Sequence, residues 1–345
     1  MILLITGCAG LIGGRFAEWV LTNKPDVTVI GIDDLSGGLQ ENLDVLLQYP
    51  NFVFRKLNCD DATIEQLFIE YKITHIAHFA CWAAETASPF MRKFTTQNIM
   101  ASYANLVNMA IKYDIVRFLQ ASTLAVYGAQ VPPFQEFYLP LPADYYGVLK
   151  AAIERDLANA NAQHGLDYVI CRFHNVYGKM QNAFDPLRNF IGICLYKGII
   201  GDPITVYGDG LQTRQFSEAS DILIPTWNAL TMKQASTEIF NIGGTKESTI
   251  LGVAQIVSKL TGVHIIHLPP RHEVQHATVS SKKSEDILEF VHTIELEDGI
   301  TSMYEWVKTL PLRPRIIFDQ YELQKGLYDY WRPEALKDGY FKENK

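Results

Sequence analysis

Positive charge is in short supply in this chain. Lysine and arginine total 30 against 38 acids among 345 residues, a formal net charge of −8. No basic stripe offers itself to a nucleic-acid backbone, which argues against a polyanion partner. A small anionic ligand needs only a few placed arginines and stays open. Cysteine is also sparse. The five, at positions 8, 59, 81, 171 and 194, form no CxxC pair, are odd in number and sit among apolar neighbours. They read as free buried thiols of a reducing compartment. No run of 18 apolar residues is present, so no transmembrane helix is expected. The opening "MILLITG" is too short for the apolar core of a signal peptide and has no basic region before it. A soluble, cytoplasmic protein without a membrane partner is the expectation. Internal repeats and low-complexity tracts are missing too.

What is present is an alternation. Short apolar runs at 2–6, 27–33, 52–57, 75–80, 116–122 and 168–173 read as strands. Between them, 11–22, 62–72, 94–113 and 144–164 carry helical patterns. Continuous apolar strands alternating with helices indicate an α/β protein whose parallel sheet is covered on both faces. After 174 the rhythm changes. The stretch 178–218 is rich in Gly, Pro and polar residues, and helical patterns return at 222–233, 250–261 and 284–309, with a strand at 238–244. The expected division is a nucleotide-binding domain over 1–174 plus about 219–243, and a smaller, mixed substrate-binding domain over 175–218 and 244–310. Residues 311–345 form a C-terminal extension rich in aromatics and charges.

The turn after the first strand, "ITGCAGLIGG", spaces Gly7, Gly10 and Gly13 three apart at the start of a helix. Such glycines let the backbone approach a pyrophosphate at the helix N-terminus, where the dipole favours anions. A tight strand-to-helix turn would explain the triplet equally well. Asp33 adds weight, because it ends the second strand, where a carboxylate can accept hydrogen bonds from adenosine ribose hydroxyls. It would repel a 2′-phosphate, so NAD is favoured over NADP.

In "DYYGVLK", Tyr146 and Lys150 stand at i and i+4 and share a helix face. The ammonium, with the positive nicotinamide ring of an oxidised cofactor, is expected to draw the phenol down from its ordinary value near 10. A phenolate can take a proton from a sugar hydroxyl while the carbon gives up hydride. Thr123, at the end of a parallel strand, can share that oxygen. The plain alternative is a helix with a surface lysine and a buried tyrosine.

With these pieces assembled, the sequence resembles the extended short-chain dehydrogenases/reductases. The resemblance rests on "TGCAGLIG", "DDLSGG", "HFA", "STLAVYG", "YYGVLK", "RFHNVYG", "ITVYGDGLQTRQF", "FNIGG" and "LPPRHEV", and covers about residues 1–310. Within that family it is similar to the nucleotide-sugar epimerases and dehydratases. The resemblance implies a Rossmann-like doubly wound sheet, bound NAD, a nucleoside-diphosphate sugar as substrate and a homodimer paired through the helices around 94–113 and 147–164. It implies Thr123, Tyr146 and Lys150 as the catalytic set. It assigns the cofactor to Gly7, Gly10, Leu11, Ile12, Gly13, Asp33, Asp34, Ala80 and Asn98 with Tyr146 and Lys150, and places Asp60 against the adenine. Asn175, Arg214 and Arg271 become substrate contacts, the two arginines on the diphosphate.

The residues after Thr123 bear on the reaction. Elimination of water from a 4-keto sugar needs a base and an acid beyond the tyrosine, and related 4,6-dehydratases put Asp and Glu directly after the threonine. Here those places hold Leu124 and Ala125, so a 4-epimerase is expected. Ala277 falls where epimerases control room beside the sugar, and a small residue there implies tolerance of an N-acetyl group. Glu85 keeps a dehydratase in view as the alternative, and a non-catalytic NAD-binding regulator is the alternative of another class. The histidines at 264, 267, 272 and 276 do not make a metal site, since Pro269-Pro270 breaks any register between them. His174 reads as a structural histidine.

Overall fold

The computed structural model describes residues 1–314 and 321–332. Seven strands form one parallel sheet: β1 (Ile2–Thr6), β2 (Thr28–Asp33), β3 (Phe52–Lys56), β4 (His75–His78), β5 (Arg117–Thr123), β6 (Tyr168–Phe173) and, much later in the chain, β11 (Glu238–Ile242). Their spatial order is β11-β6-β5-β4-β1-β2-β3. The chain builds outward from β1 through β2 to β3, then crosses to β4 and builds the other way. The reversal opens a crevice beyond the carboxyl ends of β1 and β4, the place where such sheets take their ligands.

Successive strand side chains point to opposite faces. Leu3 and Ile5 enter one core with Phe16, Val20, Leu119 and Phe240, while Leu4 enters the other with Ile30, Ile76, Phe118 and Ile153. Both faces are therefore apolar, which is why the strands read as continuous hydrophobic runs. The covering helices are α1 (Leu11–Asn23), α2 (Gln40–Leu46), α3 (Ile64–Tyr71), α4 (Arg92–Thr96), α5 (Ser102–Lys112), α6 (Tyr145–His164), and later α8 (Leu223–Thr231) and α10 (Lys282–Leu288). A single π turn, Gln97–Ala101, joins α4 to α5. Such turns recur at functional sites.

Most of the remaining elements gather around a third core beside the carboxyl edge of the sheet. The remaining elements are β7 (Val176–Tyr177), α7 (Phe190–Ile200), β8 (Ile204–Tyr207), β9 (Thr213–Gln215), β10 (Ser217–Glu218), β12 (Glu247–Thr249), α9 (Ile250–Thr261), β13 (Ile265–Leu268), β14 (His276–Ala277) and α11 (Leu296–Thr309). Small sheets β10-β7, β12-β9-β14 and β13-β8 frame it. Ile191, Leu195, Val253, Val257, Ile300 and Met303 fill it, while Ala277 of β14 packs with Val126, Tyr127, Phe134 and Val279.

Two helices escaped the sequence pattern. α2 lies in what reads as a polar loop, and its seven residues have no side-chain cap to announce them. α7, "FIGICLYKGII", lies in the stretch taken as loop-rich. It is apolar nearly all round, so it lacks the polar face that marks a helix in sequence. The C-terminal extension is described at 311–314 and 321–332, and its residues 315–320 and 333–345 lie outside the described residues.

Candidate active site

A cavity of about 590 Å³ runs from the β1 turn to the arginines of the second half. At one end β1 turns at Gly7, in the left-handed region at φ +70°. A Cβ there would lie 2.9 Å from the Ala80 backbone nitrogen, and one on Gly13 would lie 2.3 Å from the Gly7 carbonyl oxygen. Backbone thus meets backbone, and α1 starts hard against the strand. Gly10, extended, precedes the helix and no side chain caps it. Leu11 and Ile12, its first residues, line the cavity, and their end of the dipole suits an anion.

Asp33 ends β2 in the same wall. Its carboxylate accepts N–H bonds from Ala9 at 3.0 Å and Leu35 at 2.8 Å. Burial raises its pKa despite these bonds. Lone pairs remain for two further donors. Asp34 accepts from Asn58 Nδ2 at 2.9 Å. Thr6 receives the Phe79 and Ala80 N–H groups at 3.1 and 3.0 Å, which fixes the crossing from β1 to β4. Asn98, on the π turn, accepts the Trp82 N–H at 2.5 Å. The cradle that only glycine fits, the uncapped helix start and Asp33 together match a dinucleotide.

The chemistry-bearing hydroxyls sit midway along the cavity. Thr123 ends β5, and its Oγ1 accepts the Ala125 N–H at 3.1 Å, capping the short turn Leu124–Tyr127. Thr123 and Tyr146 line the cavity together. Asp144 caps α6 by accepting the Gly147 N–H at 2.8 Å, and Ser88 accepts the Tyr146 N–H at 3.0 Å. Lys150 is buried, donates to the Ala121 carbonyl at 2.9 Å and lies 5.8 Å from the Tyr146 ring centre. The expected lowering of the phenol drew on Lys150 together with an oxidised nicotinamide ring, and in the chain without the cofactor the phenol is held high. Burial, followed by Cys81, Glu85 and Asp144, holds the phenol well above its ordinary value, and the neighbouring Thr123 only partly opposes this. The protein alone therefore favours the neutral phenol.

The far end is charged. Arg214, on β9, donates to the carbonyls of Thr213 (2.8 Å), Gln275 (3.0 Å) and Val274 (2.6 Å). Its guanidinium and that of Arg271 lie 3.6 and 3.4 Å from one carboxylate, Glu273. Arg271 also covers the Tyr207 ring at 4.5 Å. Both cations share the Glu273 carboxylate at 3.4–3.6 Å, so their guanidinium donors are not all taken and can meet an anionic ligand. Asn175, strained at φ 42°, donates to the Gln215 carbonyl at 2.9 Å and lines the cavity. Ala277 pairs in register with Arg214 and is a buried wall residue.

Glu85 stands between these ends. It is reached from the cavity but ringed by protein, and that enclosure, with Asp144 and Glu273, pushes its carboxyl up to about 7 against Arg214 and Arg271. Asp144 is raised to about 6, chiefly by burial.

Asp60 is not brought to the wall. Asn58 accepts the Asp60 N–H at 2.9 Å, and this turn leaves the aspartate exposed, while Asn58 and Cys59 line the cavity in its place. His174 is buried against Gly243, outside the wall, and burial lowers it to about 4. Sequence reasoning missed Arg188 and Trp331, both in the wall. Arg188 precedes α7, pairs with Asp185 at 2.9 Å and lowers Asp33 through its charge. An arginine within the Gly- and Pro-rich stretch was its only signal.

A doubly wound sheet with a glycine cradle, a strand-end aspartate and a Thr–Tyr–Lys cluster defines an NAD-dependent enzyme. The sequence model of the "NAD dependent epimerase/dehydratase family" matches residues 3–243. The chain belongs to that family, and NAD is its cofactor. It is 28% identical to a UDP-glucuronate 4-epimerase of Thermodesulfobacterium geofontis over 88% of this chain and 95% of that one. It is 27% identical to a dTDP-glucose 4,6-dehydratase of Haemophilus influenzae, over 89% and 97%. The crystal structure of a Bacillus cereus UDP-glucuronic acid 4-epimerase, in complex with UDP-glucuronic acid and NAD, aligns with a TM-score of 0.82 at 26% identity, covering 89% of this chain and 99% of that one.

Proposed function

We propose that the protein is a nucleotide-sugar 4-epimerase acting on a UDP-hexose or UDP-N-acetylhexosamine. One observation carries the reading. Thr123 and Tyr146 line one cavity wall in which the places after the threonine are Leu124 and Ala125, neither of which moves a proton. The glycine turn, Asp33 and Asn98 hold the cofactor, and bound NAD supplies a hydride acceptor that becomes a donor. Tyr146 takes the proton from the sugar's O4 as the carbon is oxidised and returns it after the other face is presented. Thr123 shares that oxygen. Lys150 fixes the tyrosine's helix to β5, and its charge together with the oxidised nicotinamide ring of bound NAD would favour the phenolate. Arg214 and Arg271 hold the diphosphate, with Asn175 beside them. The second half of the chain, around the third core, is the substrate-binding part. Ala277 leaves room for an N-acetyl group.

A second reading draws on Glu85 and Asp144. Two carboxyls raised to about 7 and 6 in one wall are suited to remove a carbon-bound proton and protonate a leaving hydroxyl, as a dehydratase must. Incubation with UDP-, dTDP-, GDP- and CDP-sugars, followed by NMR of the products, separates the two. Epimerisation gives two 4-epimers at equilibrium, and a stable 4-keto or unsaturated product would replace this reading by the second. Turnover of UDP-glucose with none of UDP-N-acetylglucosamine would refute the role given to Ala277. Tyr146→Phe lowers turnover about 10²–10⁴-fold with fold and NAD content kept, and substantially retained activity would sink the mechanism.

Among the described residues no helix is long and apolar enough to cross a membrane. A cytoplasmic homodimer, joined through α5 and α6, accompanies the reading. Light scattering at one subunit mass would remove the dimer.

A further inference from the structure

We infer that the C-terminal segment 321–332 completes the sugar end of the substrate cavity, with Trp331 as the wall that the bound sugar meets. This rests on the nucleotide-sugar reading above. The segment is seated at both ends and in the middle. At its start, the N–H groups of Glu322 and Leu323 donate to the Phe90 carbonyl at 2.8 and 3.1 Å. The Glu322 carboxylate accepts the N–H groups of Lys93 and Phe94 at 2.8 and 2.7 Å. Those N–H groups open α4, so the glutamate is an anionic cap at a helix N-terminus. In the middle, the Tyr328 hydroxyl accepts the His272 N–H at 3.0 Å, one residue from Arg271.

At its end the short turn Asp329–Trp331 brings Trp331 into the cavity wall. The indole lies parallel to Tyr321, centroids 6.0 Å apart, and meets the rings of Phe90 and Tyr328 edge-on at 6.3 and 5.3 Å. Tyr321 and Leu327 are buried with Ala84, Ala87 and Met91, and Trp82 and Leu187 pack alongside. The indole is thus preorganised.

The part of the cavity it walls is the sugar's. Trp82, Glu85 and Ala87 line the cavity in the run that ends at Ser88, and Ser88 holds the Tyr146 N–H. The charge of Glu85 is felt by Tyr146 on one side and by Arg214 on the other. A hexose joining the reacting oxygen to the diphosphate spans that interval. The apolar C–H face of a hexopyranose fits an immobilised indole, which offers a large apolar area at low entropic cost. The segment also ties the start of α4 to the Arg271–His272 loop, so its undocking would open the sugar end without touching the glycine turn.

The test uses the full-length, NAD-loaded protein and calorimetric titration with UDP-glucose, UDP-N-acetylglucosamine and UDP. Trp331→Ala should bind the UDP-sugars about tenfold more weakly, with UDP affinity and NAD content unchanged and a drop in Tm from the lost packing against Phe90, Tyr321 and Tyr328. Trp331→Phe should recover most of the loss. Glu322→Gln combined with Tyr328→Phe, which loosens the seat and leaves the wall side chains in place, should shift sugar affinity in the same direction. Unchanged UDP-sugar affinity in Trp331→Ala and in the double variant would overturn the inference. So would equal weakening of UDP and UDP-sugar, which would move the segment's action to the diphosphate. Failure of the unsubstituted protein to bind any of the three ligands would sink the nucleotide-sugar reading itself, and the wall with it.

Discussion

Replacing Gly13 by alanine tests the cofactor cradle directly. The added Cβ would lie 2.3 Å from the Gly7 carbonyl oxygen, 2.8 Å from the Gly7 carbonyl carbon and 3.2 Å from the Thr6 oxygen, where ordinary contact begins near 3.4 Å. All three neighbours are backbone, so no side chain can swing away. Relief requires α1 to move about 1 Å from β1, and Phe16 and Val20 move with it against Leu3 and Ile5, all fully buried. Overpacking of this kind costs about 1–3 kcal/mol. The same displacement shifts the Leu11 and Ile12 N–H groups, and about 1 Å at a positioned donor is enough to weaken a ligand contact severely. Gly262→Ala is the control. Gly262 adopts φ +78° with nothing within 4 Å of its Cβ position, so alanine there costs only left-handed strain, about 1–2 kcal/mol. The assays are NAD content of the purified protein and the thermal midpoint. Gly13→Ala should lose NAD and drop in Tm, while Gly262→Ala should drop in Tm with NAD retained. Full NAD occupancy in Gly13→Ala, with a Tm shift no larger than the control's, would refute the cradle.

Glu85 should give substrate binding a pH dependence. Its raised pKa means that it loses its charge as pH falls through about 7. Below that, Arg214 and Arg271 are opposed by one carboxylate fewer, so affinity for a nucleoside-diphosphate sugar should rise. Calorimetry between pH 5.5 and 8.5 at constant ionic strength checks this, and a slope that persists through pH 7 in Glu85→Gln would assign the effect elsewhere. The same raised carboxyls make the ligand-free chain bind more protons folded than unfolded, so Glu85→Gln should flatten a loss of stability between about pH 5 and 7. Glu154→Gln should destabilise the protein by about 3–5 kcal/mol, since it leaves the buried Arg172, 2.6–3.0 Å from that carboxylate, without its counter-charge. Denaturant unfolding measures it, and a loss under about 1 kcal/mol would mean the charge is compensated by the Tyr127 hydroxyl and the Glu136 carbonyl.

Much of this protein is determined by local pattern. The strands of the sheet are buried on both faces, so they stand out as uninterrupted apolar runs. The helices between them carry one apolar stripe each. Gly7 and Gly13 are legible because a backbone-to-backbone contact admits no other residue. Thr123, Tyr146 and Lys150 are legible because one strand end and one helical turn bring them together. Only the tertiary structure decided the rest. α7 is apolar on nearly every side, so it has no period to read. Asp60 and Asn58 differ by two positions, and an Asx turn chose between them. The state of the Tyr146 phenol depends on Glu85, a residue 61 positions away in the chain. Trp331 reaches the wall only because Glu322 and Tyr328 find their partners on α4 and beside Arg271. Sequence specifies contacts that close within a turn or a strand. Contacts that depend on two distant segments meeting, and the electric field those meetings create, exist only in the folded chain.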